Sequence, residues 1–369
     1  MENLIAFFSV IVPFLAVLTI IVFVHEMGHY LVARWNGIAV QVFSIGFGPE
    51  LVGFNDKNGT RWKVCAIPLG GYVKFLGDMN AASVPDHKEL GQIDPQTRST
   101  LFYYKNVWQR IAVVVAGPIA NIIFTFIVLY ALLLGLGRYT LEATIDGVEP
   151  QSPAEIAGLM SDDKVVRVDG YLIRSFGDFQ RIVATSPERE IAIEVERAGK
   201  NVSLNVVTGS TERTDRFGNV SRIGYLGVSR TAEQEDVIFV RPSPVEAVFI
   251  TFDEMVLIVD RSFKFLGELI LGKGDVDQLG GPVKIAKISG EAASIGIFTL
   301  INLMALLSLN IGIFNLFPIP MLDGGHLVYY LYEVVRGKPL SPKIQEMGFR
   351  FGLFLVLSLM VFSVFNDVF

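Results

Sequence analysis

Residues 20–35 read IIVFVHEMGHYLVARW, an apolar run that closes on two histidines and a glutamate. In a helix, positions i and i+4 share one face, so His25 and His29 can present two imidazole nitrogens to a single metal ion. Glu26 stands beside them, close enough to take a proton from a water held by that ion. Ionisable side chains are costly within a bilayer and tend to mark function there. A helix end whose histidines merely reach the interface is the plainer alternative, but it gives no reason for the i, i+1, i+4 spacing.

The rest of the composition narrows the chemistry. The chain has 369 residues, 51% of them hydrophobic, and a mean hydropathy of +0.48, which suits an integral membrane protein with room for one further domain. A net charge of -6 and the lack of a dense basic patch argue against a nucleic-acid surface. Cys65 is the only cysteine, so disulfide frameworks and thiolate clusters are excluded, and His, Asp and Glu remain as ligands for one zinc-like ion.

Outward from the opening stretch, the expected architecture is a polytopic α-helical membrane protein with about four transmembrane helices, a membrane-associated β-hairpin or sheet, and an inserted α/β PDZ-like domain. Residues 1–35 form the first span. Residues 36–110 form a re-entrant or interfacial β region and a loop: QVFSIGFGPELVGF and RWKVCAIPLGGYVKFL alternate like strands around an Asn-Gly turn, and a polar loop carries His87. Residues 111–138 form the second span, interrupted by Gly117, Pro118 and Asn121; Asn121 fits simple helix packing as well as substrate handling. Residues 140–230 are soluble α/β text whose order of elements resembles a PDZ domain, and Gly224, Tyr225, Leu226 and Gly227 resemble the loop by which such domains grip a peptide terminus. A PDZ fold that plugs sterically and binds no peptide is the alternative. In residues 243–272, Glu246, Asp253 and Asp260 share one stripe, which predicts an amphipathic interfacial helix. Residues 292–323 form the third span, ending in LDGG, and residues 350–366 a short fourth span that needs some bilayer thinning.

Charge bias orients these pieces. Lys57, Arg61, Lys63, Lys74, Lys88, Arg98 and Lys105 lie between the first two spans, and Arg336, Lys338 and Lys343 between the last two, so both loops are expected on the cytoplasmic side and the PDZ-like domain outside. Spans one and three then run in the same direction, which brings Asp323 toward His25 and His29. Two histidines and a carboxylate meet the demand of a catalytic zinc for three protein ligands and one open position.

HEMGH, GFGP at 46–49, GGYVKFLG at 70–77, GPIANIIF at 117–124 and NLFPIPMLDGGH at 315–326 together resemble the site-2 proteases, intramembrane zinc metalloproteases, and most of all their RseP-type group. The likeness covers nearly the whole chain, although many RseP-type members carry two PDZ domains and this chain has room for one. It implies one Zn²⁺ on His25, His29 and Asp323, and Glu26 as catalytic base. It also implies substrate-binding or site-shaping roles for Asn310, Asn315, Pro318, Pro320, Gly70, Gly71 and Asn121. The expected substrates are single-pass membrane proteins already cut by another protease, such as an anti-sigma factor or a signal-peptide remnant, in a bacterial inner membrane. A catalytically silent PDZ scaffold and a membrane zinc carrier are the competing functions; an intact Glu26 speaks against the first, and a scarcity of further polar residues along the spans against the second.

Overall fold

The computed structural model describes residues 2–77, 98–184, 186–214, 220–231, 237–271 and 281–368, so most of the polar loop, with His87, lies outside the described residues. The chain divides into two compact units, residues 1–132 with 250–369, and residues 133–249.

The first unit opens with α1 (Glu2–Trp35), one 34-residue helix that carries HEMGH in its last third. Two long strands follow, β1 (Val40–Asn55) and β2 (Arg61–Phe75). Their register is richer than a hairpin. Val42, Phe43, Ser44 and Ile45 each pair twice, with residues 61–64 on one side and 71–74 on the other, while residues 50–55 pair again with 61–65. Each strand is therefore bent, and the sheet has four segments in the order 50–55, 61–65, 42–47, 71–75. Gly46 at φ 88° and Gly48 at φ 84° make the bend in β1 and Gly70 at φ 125° the bend in β2, in a region that side chains with a Cβ rarely enter. Tyr30 and Ala33 of α1 pack with Phe43, Val73 and Phe75 of the sheet, so one face of the sheet is seated on the HEMGH end of α1.

The second unit begins within α2 (Val107–Leu136), the next long helix. Beyond it run β3 (Arg138–Leu141), β4 (Gly147–Val148), α3 (Pro153–Ile156), β5 (Lys164–Val168), β6 (Tyr171–Leu172), α4 (Phe176–Ala184), β7 (Glu190–Arg197), β8 (Lys200–Val207), β9 (Gly209–Thr214), β10 (Val220–Tyr225), β11 (Val228–Ser229) and β12 (Val237–Val240). A four-stranded antiparallel sheet in the order β6-β5-β7-β8 forms its centre. EIAIEVER alternates as a half-buried strand should, with Ile191, Ile193 and Val195 fully enclosed. Ala198 and Gly199, both at positive φ, make the tight turn into β8.

The chain returns to the first unit through α5 (Pro244–Ile270). The apolar run expected as one span from 292 to 323 is divided: α6 (Pro282–Ile295) ends and α7 (Ile297–Asn315) begins at Gly296, whose φ of 153° suits a residue without Cβ. After a seven-residue turn, α8 (Asp323–Arg336) starts on the aspartate itself. The last helix, α9 (Pro342–Val368), is longer than the apolar run inside it because Pro342 and the polar residues after it already form helical turns. Its 25-residue apolar window is long enough to cross a hydrocarbon layer of roughly 30 Å without thinning it.

Residues 7–35, 107–136, 297–315 and 343–367 are long and apolar enough to cross a membrane. Their outward faces agree, since Ile119, Ile123 and Ile127 lie exposed along one side of α2, and Phe351, Phe354, Leu357 and Val361 along α9. Continuous apolar faces of this extent are rare in water and natural against lipid.

A carboxylate ties the sheet to α1. Tyr30 Oη and Trp62 Nε1 both donate to Asp56 Oδ2 at 3.1 Å, and the backbone N–H groups of Asn58 and Thr60 donate to Oδ1 at 2.8 and 2.9 Å. Burial pushes the Asp56 carboxyl up, but the donors from Trp62, Thr60, Asn58 and Tyr30 outweigh it and hold the group below the usual carboxylate range. A carboxyl lowered by folding contributes stability that is complete above its ordinary value of about 3.9 and is lost as pH falls through its native value. Asp56→Ala is therefore expected to cost about 2 kcal/mol at neutral pH, with the deficit shrinking below about pH 4. Thermal unfolding of both proteins in detergent across pH 3–7 checks this; an unchanged deficit at the acid end contradicts it.

Candidate metal centre

The centre is assembled by three helices. His25 and His29 come one turn apart from α1, and Asp323 opens α8. His25 Nε2 lies 3.1 Å from Asp323 Oδ2, His29 Nε2 lies 3.5 Å from Oδ1, and the two Nε2 atoms are 3.2 Å apart. Ligands on a tetrahedral ion with bonds of roughly 2.0–2.1 Å stand roughly 3.3 Å from one another, and these separations bracket that value. Among the described residues this is the one group of three or more His, Cys, Asp or Glu placed to share an ion.

The third helix, α2, sets the imidazoles. His29 Nδ1 donates to the Val113 carbonyl at 2.8 Å, which fixes its tautomer and leaves Nε2 with a lone pair facing the other ligands. His25 Nδ1 lies 3.3 Å from the Asn121 side-chain amide, whose Oδ1 is buried without a partner. Ligation through Nε2 requires Nδ1 to carry the proton, and a half-turn of the Asn121 amide supplies the acceptor that this N–H needs. Both histidines thereby fit a metal ion, each held from behind by α2.

This support depends on how closely α1 and α2 approach. A Cβ at Gly28 would collide with the Ala116 carbonyl and with Ala120, and one at Gly117 would occupy the space of His29 Nε2 and His25 Nε2. Small residues allow such approach between apolar helices. On the far side, α7 fits against α2 at Gly312, while Thr125 Oγ1 and Ser308 Oγ donate to the Asn121 carbonyl.

Asp323 is positioned just as tightly. A Cβ at Gly324 would strike the Leu316 and Phe317 carbonyls, and one at Gly325 the Ile319 carbonyl and Pro320 Cα, so the first turn of α8 is pressed onto the turn before it. Met321, at φ 89°, holds the left-handed conformation that this turn requires. Farther along α8, Glu333 accepts from Arg110 Nη2 at 2.6 Å, and the Arg110 guanidinium lies 4.9 Å over the Tyr330 ring, which fastens α8 to the start of α2.

A cavity of about 540 Å³ opens onto these groups, lined by His25, Glu26, His29, Asp323 and His326 and by Phe47, Gly70, Gly71, Tyr72 and Val73 of the sheet. Gly71 lets the strand approach α1, because a Cβ there would come within 3.1 Å of Glu26 Cγ. Of the other residues singled out in the sequence, Asn315 also lines the cavity. Asn310 does not: its Oδ1 accepts from Ser262 Oγ of α5 at 2.7 Å and its Nδ2 donates to the Leu306 carbonyl. Pro318 is exposed, and Pro320 packs on α9 where Gly348 and Gly352 leave room. Gly224 to Gly227 belong to the other unit, where Leu226 is buried in the core and Tyr225 Oη donates to Glu149.

Residues 13–359 match the family model described as peptidase family M50. A protein named as a zinc metalloprotease in Mesorhizobium japonicum is 46% identical over 98% of this chain and 99% of its own, and one so named in Agrobacterium fabrum is 46% identical over 97% and 95%. Metalloprotease MmpA of Caulobacter vibrioides is 38% identical over 99% and 96%. A solved PDZ domain from Listeria monocytogenes matches 23% of this chain at 17% identity with a TM-score of 0.19, too low to bear on the fold.

Gly117→Ala places a methyl group among the ligand nitrogens. Zinc per purified protein is expected to fall at least about ten-fold, the scale on which displaced ligands lose metal. Full zinc content in a folded Gly117→Ala protein contradicts the geometry.

Proposed function

The chain belongs to peptidase family M50, the site-2 zinc metalloproteases, and on that premise we propose that it cuts the transmembrane segments of single-pass membrane proteins after a first cut outside the membrane. The supporting observation is the convergence of His25, His29 and Asp323 beside Glu26, in a cavity bordered by helices apolar enough to lie in lipid.

In this reading His25, His29 and Asp323 hold the ion, and Val113 and Asn121 fix the imidazoles. When bound, zinc supplies Lewis acidity toward the scissile carbonyl and makes the attacking water more acidic. Glu26 accepts the proton that the water releases and returns it to the departing amide nitrogen. The low polarity of the surrounding helices keeps that carboxylate and the developing charges out of bulk water.

A transmembrane helix hides its peptide bonds in internal hydrogen bonds, so the substrate has to unwind before it is cut. Residues 71–75 form the outer segment of the bent sheet beside the cavity, and among the described residues no further strand is paired with it. An extended substrate added to this edge exchanges helical hydrogen bonds for strand bonds at the level of Glu26. Anti-sigma factors and signal-peptide remnants are substrates of this kind. The Lys and Arg bias of the loops favours the catalytic end toward the cytoplasm and the PDZ-like unit outside. The resemblance to the RseP-type group favours a bacterial inner membrane, and the motif at residues 224–227 is what favours a peptide terminus as ligand of that unit.

Glu26→Gln tests the mechanism, because it removes the base and leaves the ligands. Cleavage of a reconstituted single-pass substrate is expected to fall at least about 10²-fold while zinc content stays at the wild-type level. Cleavage at the wild-type rate contradicts the assignment.

A further inference from the structure

Three of the chain's four histidines line the cavity, and two of them are committed. His29 is engaged through both nitrogens, by Val113 and by the metal position, and His25 by Asn121 and the same position. His326 is different. It lies three residues after Asp323, on the same face of the first turn of α8, and lines the cavity with it. Its ring stands edge-on to Tyr329 with centroids 6.2 Å apart, and neither ring nitrogen has a hydrogen-bond partner among the described residues.

Two features separate this side chain from a residue that merely packs. Its backbone is fixed, since Gly324 and Gly325 press the turn that carries it against residues 316–320. It also turns its ring toward the cavity, where no protein acceptor among the described residues takes its N–H. The other neutral polar side chains there are less suited: Tyr72 is already engaged with Lys63, Tyr330 lies under the Arg110 guanidinium, and Asn315 lies at the end of a different helix.

The reaction has a matching need. As the water oxygen adds to the carbonyl carbon, the carbonyl π pair moves onto oxygen, and Glu26 takes the water proton. Collapse of the tetrahedral adduct restores the carbonyl and breaks the C–N bond, while the proton on Glu26 passes to the departing nitrogen. Charge on the carbonyl oxygen is greatest between these events, and a fixed donor aimed there lowers the barrier. Resting on the protease reading above, we propose that His326 is a further catalytic residue: its ring N–H donates a hydrogen bond to the scissile carbonyl oxygen as that oxygen becomes negative. His326 keeps its proton throughout.

The test uses the full-length protein in detergent micelles and a peptide containing a transmembrane segment. His326→Leu removes the donor and His326→Gln restores an N–H of similar reach. The expected result for His326→Leu is a fall in kcat of roughly 10²–10³-fold with KM within about three-fold and zinc content unchanged. A phosphinic peptide, which mimics the tetrahedral adduct, is expected to lose affinity by the same factor, and His326→Gln to recover at least about ten-fold of both losses. A His326→Leu enzyme with wild-type kcat overturns the proposal, as does a loss confined to KM, a loss of zinc, or the same pattern appearing on Asn315→Leu instead. A wild-type protein that holds zinc but cuts no transmembrane peptide overturns the protease reading and this proposal together, whereas normal wild-type cleavage with an indifferent His326→Leu overturns this proposal alone.

Discussion

The structure depends on one close approach: the backbones of α1 and α2 meet at Gly28 and Gly117, with no room for a Cβ at either position. Everything polar at the centre follows from it. Only at this separation can the Val113 carbonyl and the Asn121 amide reach round behind His29 and His25 and turn both Nε2 atoms toward one point. Polar groups within apolar helices are tolerable when each has a partner, and α2 supplies those partners. Asp323 completes the set because two further glycines press the start of α8 onto the preceding turn.

Much of this was legible in the sequence, for physical reasons that differ from residue to residue. HEMGH is readable because helical spacing is rigid: i and i+4 face the same way whatever surrounds them. Asp323 was reachable through span counting and charge bias, which fix direction along the chain and say nothing of distance, and through the resemblance carried by residues 315–326. The four apolar helices follow from length and hydropathy alone.

Other features left no local signal. A backbone carbonyl such as Val113 offers its acceptor whatever its side chain is, so its role behind His29 cannot be read from residue type. The double pairing of residues 42–45 arises from bends at Gly46 and Gly48 and at Gly70, and alternation alone does not distinguish a bent strand from a straight one. Gly296 splits an apolar stretch that hydropathy reads as continuous. Asn310 carries the residue type expected of a site, yet it turns away to bind Ser262, because its position on α7 faces α5 rather than the cavity. His326 is the converse case, a residue outside the expected ligand set that the first turn of α8 places in the cavity with Asp323.

The central claim is that His25, His29 and Asp323 share one zinc ion. X-ray absorption at the zinc edge, on wild-type protein and on Asp323→Cys, tests it most directly. The account predicts a wild-type shell of nitrogen and oxygen at roughly 2.0–2.2 Å with imidazole scattering from two histidines, and one added sulfur at roughly 2.3 Å in Asp323→Cys. Sulfur in the wild-type shell, or a spectrum unaltered by Asp323→Cys, would contradict it.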